Sequence, residues 1–218
     1  FLLDDKELFA TTGIGIALST GQREASELLH NAELALHRAK QRGRGETEVF
    51  DLNMHSAAVA LLELETDLRK GLERAEFRVH YQPLYKLKDT LVLHGFEALV
   101  RWQHPRRGLL APGAFLGVAE ESGLIVPLDD WVLKESCRQL AEWTKLAGVP
   151  DDLTINVNLS DRQIHRPALV AEVFATIDGS GIDRSRIALE ITENLVMDQT
   201  SGATEVLREL HQGGLHLH

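Results

Sequence analysis

The first part of the chain changes from a strand-like to a helical pattern of apolar residues. Residues 11–18 run Thr-Thr-Gly-Ile-Gly-Ile-Ala-Leu, which predicts a strand in which Gly13 and Gly15 allow another backbone segment to approach closely. Residues 26–41 carry apolar side chains at helical spacing, which predicts an amphipathic helix. Its apolar face consists of Leu28, Leu29, Ala32, Leu36 and Ala39.

A second helical pattern covers residues 53–74. Four leucines recur on one side of it, at Leu61, Leu64, Leu68 and Leu72. Because this segment separates two regions with different patterns, we interpret it as a connecting helix.

After Ala75 the pattern changes to two strands followed by alternating helices and strands. Strands are predicted at 77–85, 91–102, 154–160, 186–192 and 215–218, and helices at 113–122, 129–146, 167–177 and 200–211. Strands separated by helices of about ten or more residues are typical of parallel βαβ units. The pattern therefore predicts an α/β fold.

Composition and charge narrow the classes of partner. The 218 residues suffice for one large or two small domains, and the formal net charge of −10 argues against binding to nucleic acid, which requires a basic surface. An anionic ligand remains compatible with this charge, because a bound divalent cation can reverse the local sign. No apolar run approaches the roughly 18 residues that a membrane span needs, so we expect no membrane contact by this segment.

The single cysteine, Cys137, excludes an internal disulfide and suits a reducing compartment. The first five residues, Phe-Leu-Leu-Asp-Asp, do not have the pattern of a signal peptide. We therefore expect a cytoplasmic location, either free or as the cytoplasmic part of a membrane-anchored protein.

Three polar residues interrupt strands that should be almost purely apolar in a parallel sheet. Glu97, Asn158 and Glu190 lie towards the carboxyl ends of three predicted strands. A buried carboxylate is costly unless a cation or hydrogen-bond donors compensate it. Carboxylate and amide oxygens are the ligands that Mg²⁺, Mn²⁺ and Ca²⁺ prefer, so these residues predict a metal site at one rim of the sheet.

Two alternatives remain open at this point. Each of the three residues, taken alone, is compatible with a polar strand end that a loop satisfies. Asn156 lies two residues before Asn158 and shares its strand face, so spacing does not decide which asparagine belongs to the site.

Several motifs together resemble the EAL family of bacterial cyclic di-GMP phosphodiesterases. Glu97-Ala98-Leu99, followed by Val-Arg-Trp and His-Pro, is similar to the signature strand of that family. The other motifs are Tyr81-Gln82-Pro83, Val118 to Ile125, Asn158 to Gln163 and Leu189-Glu190-Ile191-Thr192-Glu193. They occur in the family's order at similar spacing, and the resemblance covers about residues 76–218.

The N-terminal segment resembles the end of a GGDEF (diguanylate cyclase-like) domain. Residues 11–17 are similar to a late strand of that family, and residues 31–40 to its last helix. The Gly-Gly-Asp-Glu-Phe turn does not occur in the sequence, so residues 1–52 are expected to carry no cyclase chemistry.

The resemblance to the EAL family implies roles for individual residues. Glu97, Asn158 and Glu190 match its catalytic metal ligands, which assigns Asn158 rather than Asn156 to the site. Gln82, Leu99 and Arg101 match positions that hold the dinucleotide, and Arg101 suits a phosphate oxygen. Members of the family cut one phosphodiester of cyclic di-GMP to give linear pGpG, using two Mg²⁺ or Mn²⁺ ions.

The resemblance also implies a domain organisation. Residues 1–52 are expected to be a remnant of a GGDEF domain, 53–75 a connecting helix, and 76–218 the first half of an EAL-type TIM-like (β/α)8 barrel. A complete barrel typically needs about 250 residues, so the remaining metal ligands are expected beyond residue 218 and this segment alone is expected to be inactive. A homodimer is expected for the longer parent protein.

Two functional classes other than an enzyme fit the same resemblance. One is a receptor that binds cyclic di-GMP without hydrolysing it and signals by a change of shape. The other is a structural segment that dimerises through the connecting helix. The three intact metal-ligand matches favour the enzyme.

Overall fold

The computed structural model describes residues 2–3, 6–7, 11–19, 24–43, 45–87, 91–192 and 202–218. The chain divides into two compact units, Phe1–Leu64 and Glu65–His218. Of the predicted features, Glu193 at the end of one motif and positions 200–201 of one helix lie outside the described residues.

The first unit is built from short strands and one long helix. The two-residue strands β1 (Leu2–Leu3) and β2 (Lys6–Glu7) pair antiparallel. Strand β3 (Ile14–Ile16) pairs parallel with β4 (Thr47–Val49), and α1 (Ala25–Arg42) connects them. The strand predicted at 11–18 is therefore shorter in the structure than expected. Strand β4 was not predicted, because its three residues are too few to show a period of apolar positions.

Helix α2 (Leu52–Glu73) follows, close to the predicted helix at 53–74. The side chain of Asp51 caps it, since Oδ1 accepts hydrogen bonds from the backbone N–H groups of Asn53 at 2.7 Å and Met54 at 3.1 Å. The boundary between the two compact units lies within this helix, between Leu64 and Glu65.

The second unit contains a mixed sheet in the order β10-β9-β8-β6-β5, with β7 also paired to β6. Its strands are β5 (Phe77–Leu87), β6 (Leu91–His104), β7 (Gly108–Leu110), β8 (Thr154–Asn158), β9 (Ile187–Glu190) and β10 (His216–Leu217). The β5–β6 and β6–β7 pairs are antiparallel, and β6, β8, β9 and β10 are mutually parallel. The parallel part agrees with the prediction of βαβ units.

Helices separate the parallel strands along the chain. They are α3 (Leu116–Ser122), α4 (Ile125–Trp143), α5 (Asp161–Ile164), α6 (Leu169–Gly179) and α7 (Ala203–Gln212). The helix predicted at 113–122 is divided into a 3₁₀ turn, Pro112–Ala114, and α3. Helix α4 begins four residues before its predicted start at 129. Pro127 does not prevent this earlier start, because it lies in the first turn of the helix, where its missing N–H is not needed.

The core of the second unit lies on the helix-covered face of the sheet. Phe77 stacks on Trp102 with ring centroids 5.4 Å apart, and Phe115 packs edge-on to Trp102 at 5.6 Å. Strands β8 and β9 add fully buried aliphatic side chains, including Ile155 and Ile187. The opposite face of the sheet is consequently the one that can present polar side chains.

None of the described helices is both long and apolar enough to cross a membrane.

Candidate functional site

Strand register places the predicted site residues on one face of the sheet. Directly opposed residues on neighbouring strands share a face. Glu97 is opposite Asn156, and Asn158 is opposite Glu190, on adjacent parallel strands. On the antiparallel side, Gln82 is opposite Glu97. By alternation along β6, Leu99 and Arg101 also belong to this face.

Glu97 and Asn158 are in contact. Asn158 Nδ2 lies 3.3 Å from Glu97 Oε1, with the glutamate half-buried and the asparagine exposed. Glu97 is not at the end of its strand, because β6 continues to His104 through pairing with β5 and β7. The parallel pairing of β6 with β8, however, ends next to Glu97, because its last residue pair is Ala98 with Val157. The side chain therefore stands at a rim although its strand continues.

Glu190, the last residue of β9, is held by a different asparagine. Its Oε1 accepts a hydrogen bond from Asn156 Nδ2 at 2.8 Å, and the same Nδ2 lies 3.2 Å from His218 Nδ1. The backbone carbonyl of Glu190 accepts from Leu159 N–H at 2.9 Å, which ties the segment after β8 to the end of β9. The site face thus carries two carboxylate–amide pairs, and sequence spacing had not indicated this pairing.

A cavity of about 350 Å³ opens beside the first pair. Of the predicted residues, Glu97, Leu99 and Asn158 line it, whereas Gln82, Arg101 and Glu190 do not. Other polar side chains in its wall had not been singled out from the sequence, namely Glu120, Asp129, Ser160 and Thr192.

Asp129 is the acidic residue in this wall whose environment is most unusual. Burial raises the pKa of its carboxyl to about 7, and the backbone N–H of Ser160 donates to Oδ2 at 3.3 Å. The sequence could have indicated this residue, because Asp129 lies at helical spacing between Ile125 and Val132, on the apolar stripe of α4. A carboxyl on a buried stripe is a candidate for a site residue or for a strained structural one.

The predicted dinucleotide-binding residues are more open. Gln82 is exposed, and Arg101 is half-buried with Nη1 donating to the carbonyl of Val100 at 2.8 Å. Arg101 stands opposite Arg78, whose guanidinium likewise donates to backbone carbonyl oxygens, those of Ala75 and Phe77. Two cations that face each other across a strand pair repel, and an anion bound between them would relieve this repulsion.

The donor set fits a hard divalent cation. No group of three or more His, Cys, Asp or Glu side chains suited to a metal occurs among the residues described. Glu97, Asn158 and Glu190 instead combine two carboxylates with one amide, and rotation of the Asn158 amide by about 180° would turn its oxygen towards Glu97. Such oxygen ligands suit Mg²⁺ or Mn²⁺ rather than a softer metal.

Comparison with known proteins identifies similar sequences along most of the chain. The family model of the EAL domain matches residues 65–218. The chain is 41% identical over 212 residues to the cyclic di-GMP phosphodiesterase NbdA of Pseudomonas aeruginosa, covering 95% of this chain and 27% of that protein. It is 38% identical over 210 residues to the bifunctional diguanylate cyclase/cyclic di-GMP phosphodiesterase MucR of the same organism, covering 96% and 30%. The chain thus spans about a quarter to a third of the length of these curated relatives.

Solved structures give the same result at the level of the fold. The P. aeruginosa MucR phosphodiesterase in complex with c-di-GMP superposes with a TM-score of 0.66 at 39% identity, covering 71% of this chain and 62% of that one. The FimX EAL domain of Xanthomonas citri in complex with c-di-GMP superposes with a TM-score of 0.62 at 22% identity, covering 75% and 62%. The second comparison supports the fold alone.

Proposed function

The chain belongs to the EAL domain family, and from this premise we propose that it forms part of the active site of a cyclic di-GMP phosphodiesterase that produces linear pGpG. The observation that carries the proposal is the placement of Glu97, Asn158 and Glu190 on one sheet face at its rim. The curated relatives named as cyclic di-GMP phosphodiesterases support the same reaction.

In this proposal Glu97, Asn158 and Glu190 hold Mg²⁺ or Mn²⁺, in a two-metal site that residues beyond 218 complete. When bound, the ions lower the pKa of the attacking water and offset the charge that develops on the phosphate. The protein side chains orient the reactants. Arg101 supplies a fixed cation for a phosphate oxygen, while Gln82 and Leu99 hold the rest of the dinucleotide against the sheet.

We further propose that the mixed sheet is the first part of a TIM-like (β/α)8 barrel formed by residues 76–218 and their continuation. The alternation of the parallel strands β6, β8, β9 and β10 with helices supports this assignment. Residues 1–52 are proposed to be a GGDEF remnant and 53–75 a connecting helix. The parallel β3–β4 pair joined through α1 is compatible with an α/β domain of that kind.

The longer protein is proposed to act as a homodimer in the cytoplasm. Exposed apolar side chains on α2, including Leu52 and Leu62 at 72% and 66% exposure, offer a surface for a second copy. The buried free thiol of Cys137 is compatible with a reducing compartment.

Hydrolysis by the full-length protein is the direct test. Purified protein should convert cyclic di-GMP to pGpG with Mg²⁺ or Mn²⁺ and should lose the activity in EDTA. Tight binding of cyclic di-GMP without conversion, in the presence of either metal, would instead establish the receptor function.

A further inference from the structure

Asn156 is a buried polar residue at the centre of the sheet. It is 5% exposed and lies in β8, the strand between those of Glu97 and Glu190. Parallel strands usually carry apolar side chains at such positions, and a buried amide costs free energy unless its groups are hydrogen-bonded. A polar residue at this position therefore requires a specific partner.

The partners of Asn156 define the orientation of its amide. Nδ2 is 2.8 Å from Glu190 Oε1 and 3.2 Å from His218 Nδ1. A carboxylate only accepts hydrogen bonds, so the NH₂ group must face Glu190, because the flipped amide would bring two acceptors together. The second N–H of the same group then faces His218 Nδ1.

The chemistry of this contact suits a carboxylate that must stay charged and stay in place. A neutral amide donor restricts the rotation of the Glu190 carboxylate without cancelling its negative charge. A lysine or arginine at the same position would compete with a cation for that charge. Asn156 contacts Oε1, and no hydrogen bond to Oε2 occurs among the described residues, so Oε2 of Glu190 can bind another ligand.

We propose that Asn156 is a positioning residue for Glu190, holding its carboxylate in the orientation in which it binds a divalent cation. The inference rests on the proposed function, because Glu190 has to be a metal ligand. Asn158 and Asn156 then have different tasks, the first as a ligand and the second as the group that orients one. Groups that orient metal ligands typically contribute 10- to 100-fold to metal affinity.

The test measures metal binding without substrate, in the full-length protein. Asn156→Val removes the donor and places an apolar side chain that suits a buried strand at this position. Calorimetric titration with Mn²⁺ should give a dissociation constant about 10- to 100-fold higher than that of the unmodified protein. The melting temperature of Asn156→Val in EDTA should stay close to that of the unmodified protein. Saturating Mn²⁺ should restore most of the hydrolysis rate of the variant.

Gln163→Leu is the matched control. Gln163 is a buried amide at 2% exposure, but it donates to the Val126 carbonyl and to Asp130, both on α4. This variant should bind Mn²⁺ with unchanged affinity. An equal loss of affinity in Gln163→Leu and Asn156→Val would mean that any buried amide has this effect, and would overturn the positioning role.

Asn158→Ala separates the inference from the proposed function. If Asn158→Ala loses Mn²⁺ and Asn156→Val binds it normally, the positioning role is wrong and the proposed site stands. If Asn158→Ala also binds Mn²⁺ normally, the proposed site fails, and the role of Asn156 fails with it. Should Asn156→Val not fold, Asn156→Ser takes its place, and normal Mn²⁺ affinity in that variant overturns the inference.

Discussion

The pKa of the Asp129 carboxyl shows how strongly burial changes the ionisation of a single residue. Burial raises the pKa of its carboxyl from 3.8 to about 7, although the Ser160 N–H donates to it. The folded protein therefore retains a proton between about pH 4 and 7 that the unfolded chain has released. Stability that is fully present below pH 4 is consequently lost as the pH rises through 7, by an amount on the order of 4 kcal/mol.

Asp129→Asn should remove this loss. In EDTA, the variant should be more stable than the unmodified protein at pH 8 and similar to it below pH 4, because an amide does not ionise. Urea unfolding at several pH values measures the difference. Equal pH dependence of the two proteins would show that Asp129 is ionised normally in the folded state.

Glu97 is the residue on which the proposed chemistry depends most directly. Glu97→Gln keeps the size of the side chain but removes the charge that would hold a cation, so hydrolysis of cyclic di-GMP by the full-length protein should fall by more than about 100-fold. The melting temperature should stay the same or rise slightly, because a half-buried charge has been removed. Rates of pGpG formation and thermal melts measure both effects.

A matched control is Glu205→Gln on α7, since Glu205 is exposed and paired with Arg208 at 2.6 Å. This variant should keep its hydrolysis rate. Full activity of the Glu97→Gln protein would reject the catalytic assignment.

At the scale of elements, one buried histidine links α2 to the β6–β7 hairpin. His104 is 1% exposed, and its Nδ1 accepts hydrogen bonds from the backbone N–H groups of Arg106 and Arg107 at 3.0 and 3.1 Å. Nε2 must then carry the proton, and it donates to Asp67 Oδ2 at 3.2 Å. Arg106 also donates to that oxygen at 2.7 Å. This contact attaches the second half of α2 to the sheet.

Asp67→Ala should destabilise the protein by about 1–3 kcal/mol, because the buried His104 N–H would lose its partner. The pKa of Asp67 is lowered, mainly by the hydrogen bond from Arg106, so its contribution is present above the ordinary value of 3.8 and disappears as the pH falls through the lowered pKa. Chemical unfolding at pH 7 and in acid tests both statements.

Glu65→Ala on the same helix is the control, since it removes only an exposed pair with Arg69 at 3.7 Å. Glu65→Ala should lower the free energy of unfolding by less than about 1 kcal/mol, both at pH 7 and in acid. A cost for Asp67→Ala no larger than this would mean that His104 finds another partner.

The elements also show which parts of the fold the sequence could predict. Long periodic segments such as α2 and β6 were predicted to within a few residues, because burial on one face imposes a period that local sequence displays. Short elements such as β4 and β7 have only three residues each, too few to show a period, and are fixed instead by pairing, β4 with the distant β3 and β7 with β6 in a hairpin. The same holds for the site, where Glu97 and Glu190 stand out in apolar strands, but only the side-chain geometry of the structure reveals that Asn156, and not the directly opposed Asn158, donates to Glu190.

At the scale of the whole molecule, two glycines at close backbone approaches allow the two compact units to be perturbed separately. A Cβ at Gly15 would lie 2.2 Å from the carbonyl oxygen of Ala32 and from the amide nitrogen of Leu36, both on α1 of the first unit. A Cβ at Gly95 would lie 2.4 Å from Thr154 Oγ1 and 2.5 Å from the backbone carbonyl oxygen of Thr154 in the second unit, next to the site face. Such distances cannot be relieved without moving backbone, so each substitution to alanine should cost at least about 1–3 kcal/mol in its own unit.

The three tryptophans, Trp102, Trp131 and Trp143, all belong to the second unit, so their fluorescence reports on that unit alone. If the units fold independently, Gly15→Ala should reduce the helical circular dichroism signal of the 218-residue chain while its tryptophan melting curve stays unchanged. Gly95→Ala should instead lower the midpoint of the tryptophan transition. A Gly15→Ala variant whose tryptophan transition moves as far as that of Gly95→Ala would show that the two units unfold as one, and would reject the proposed boundary at the connecting helix.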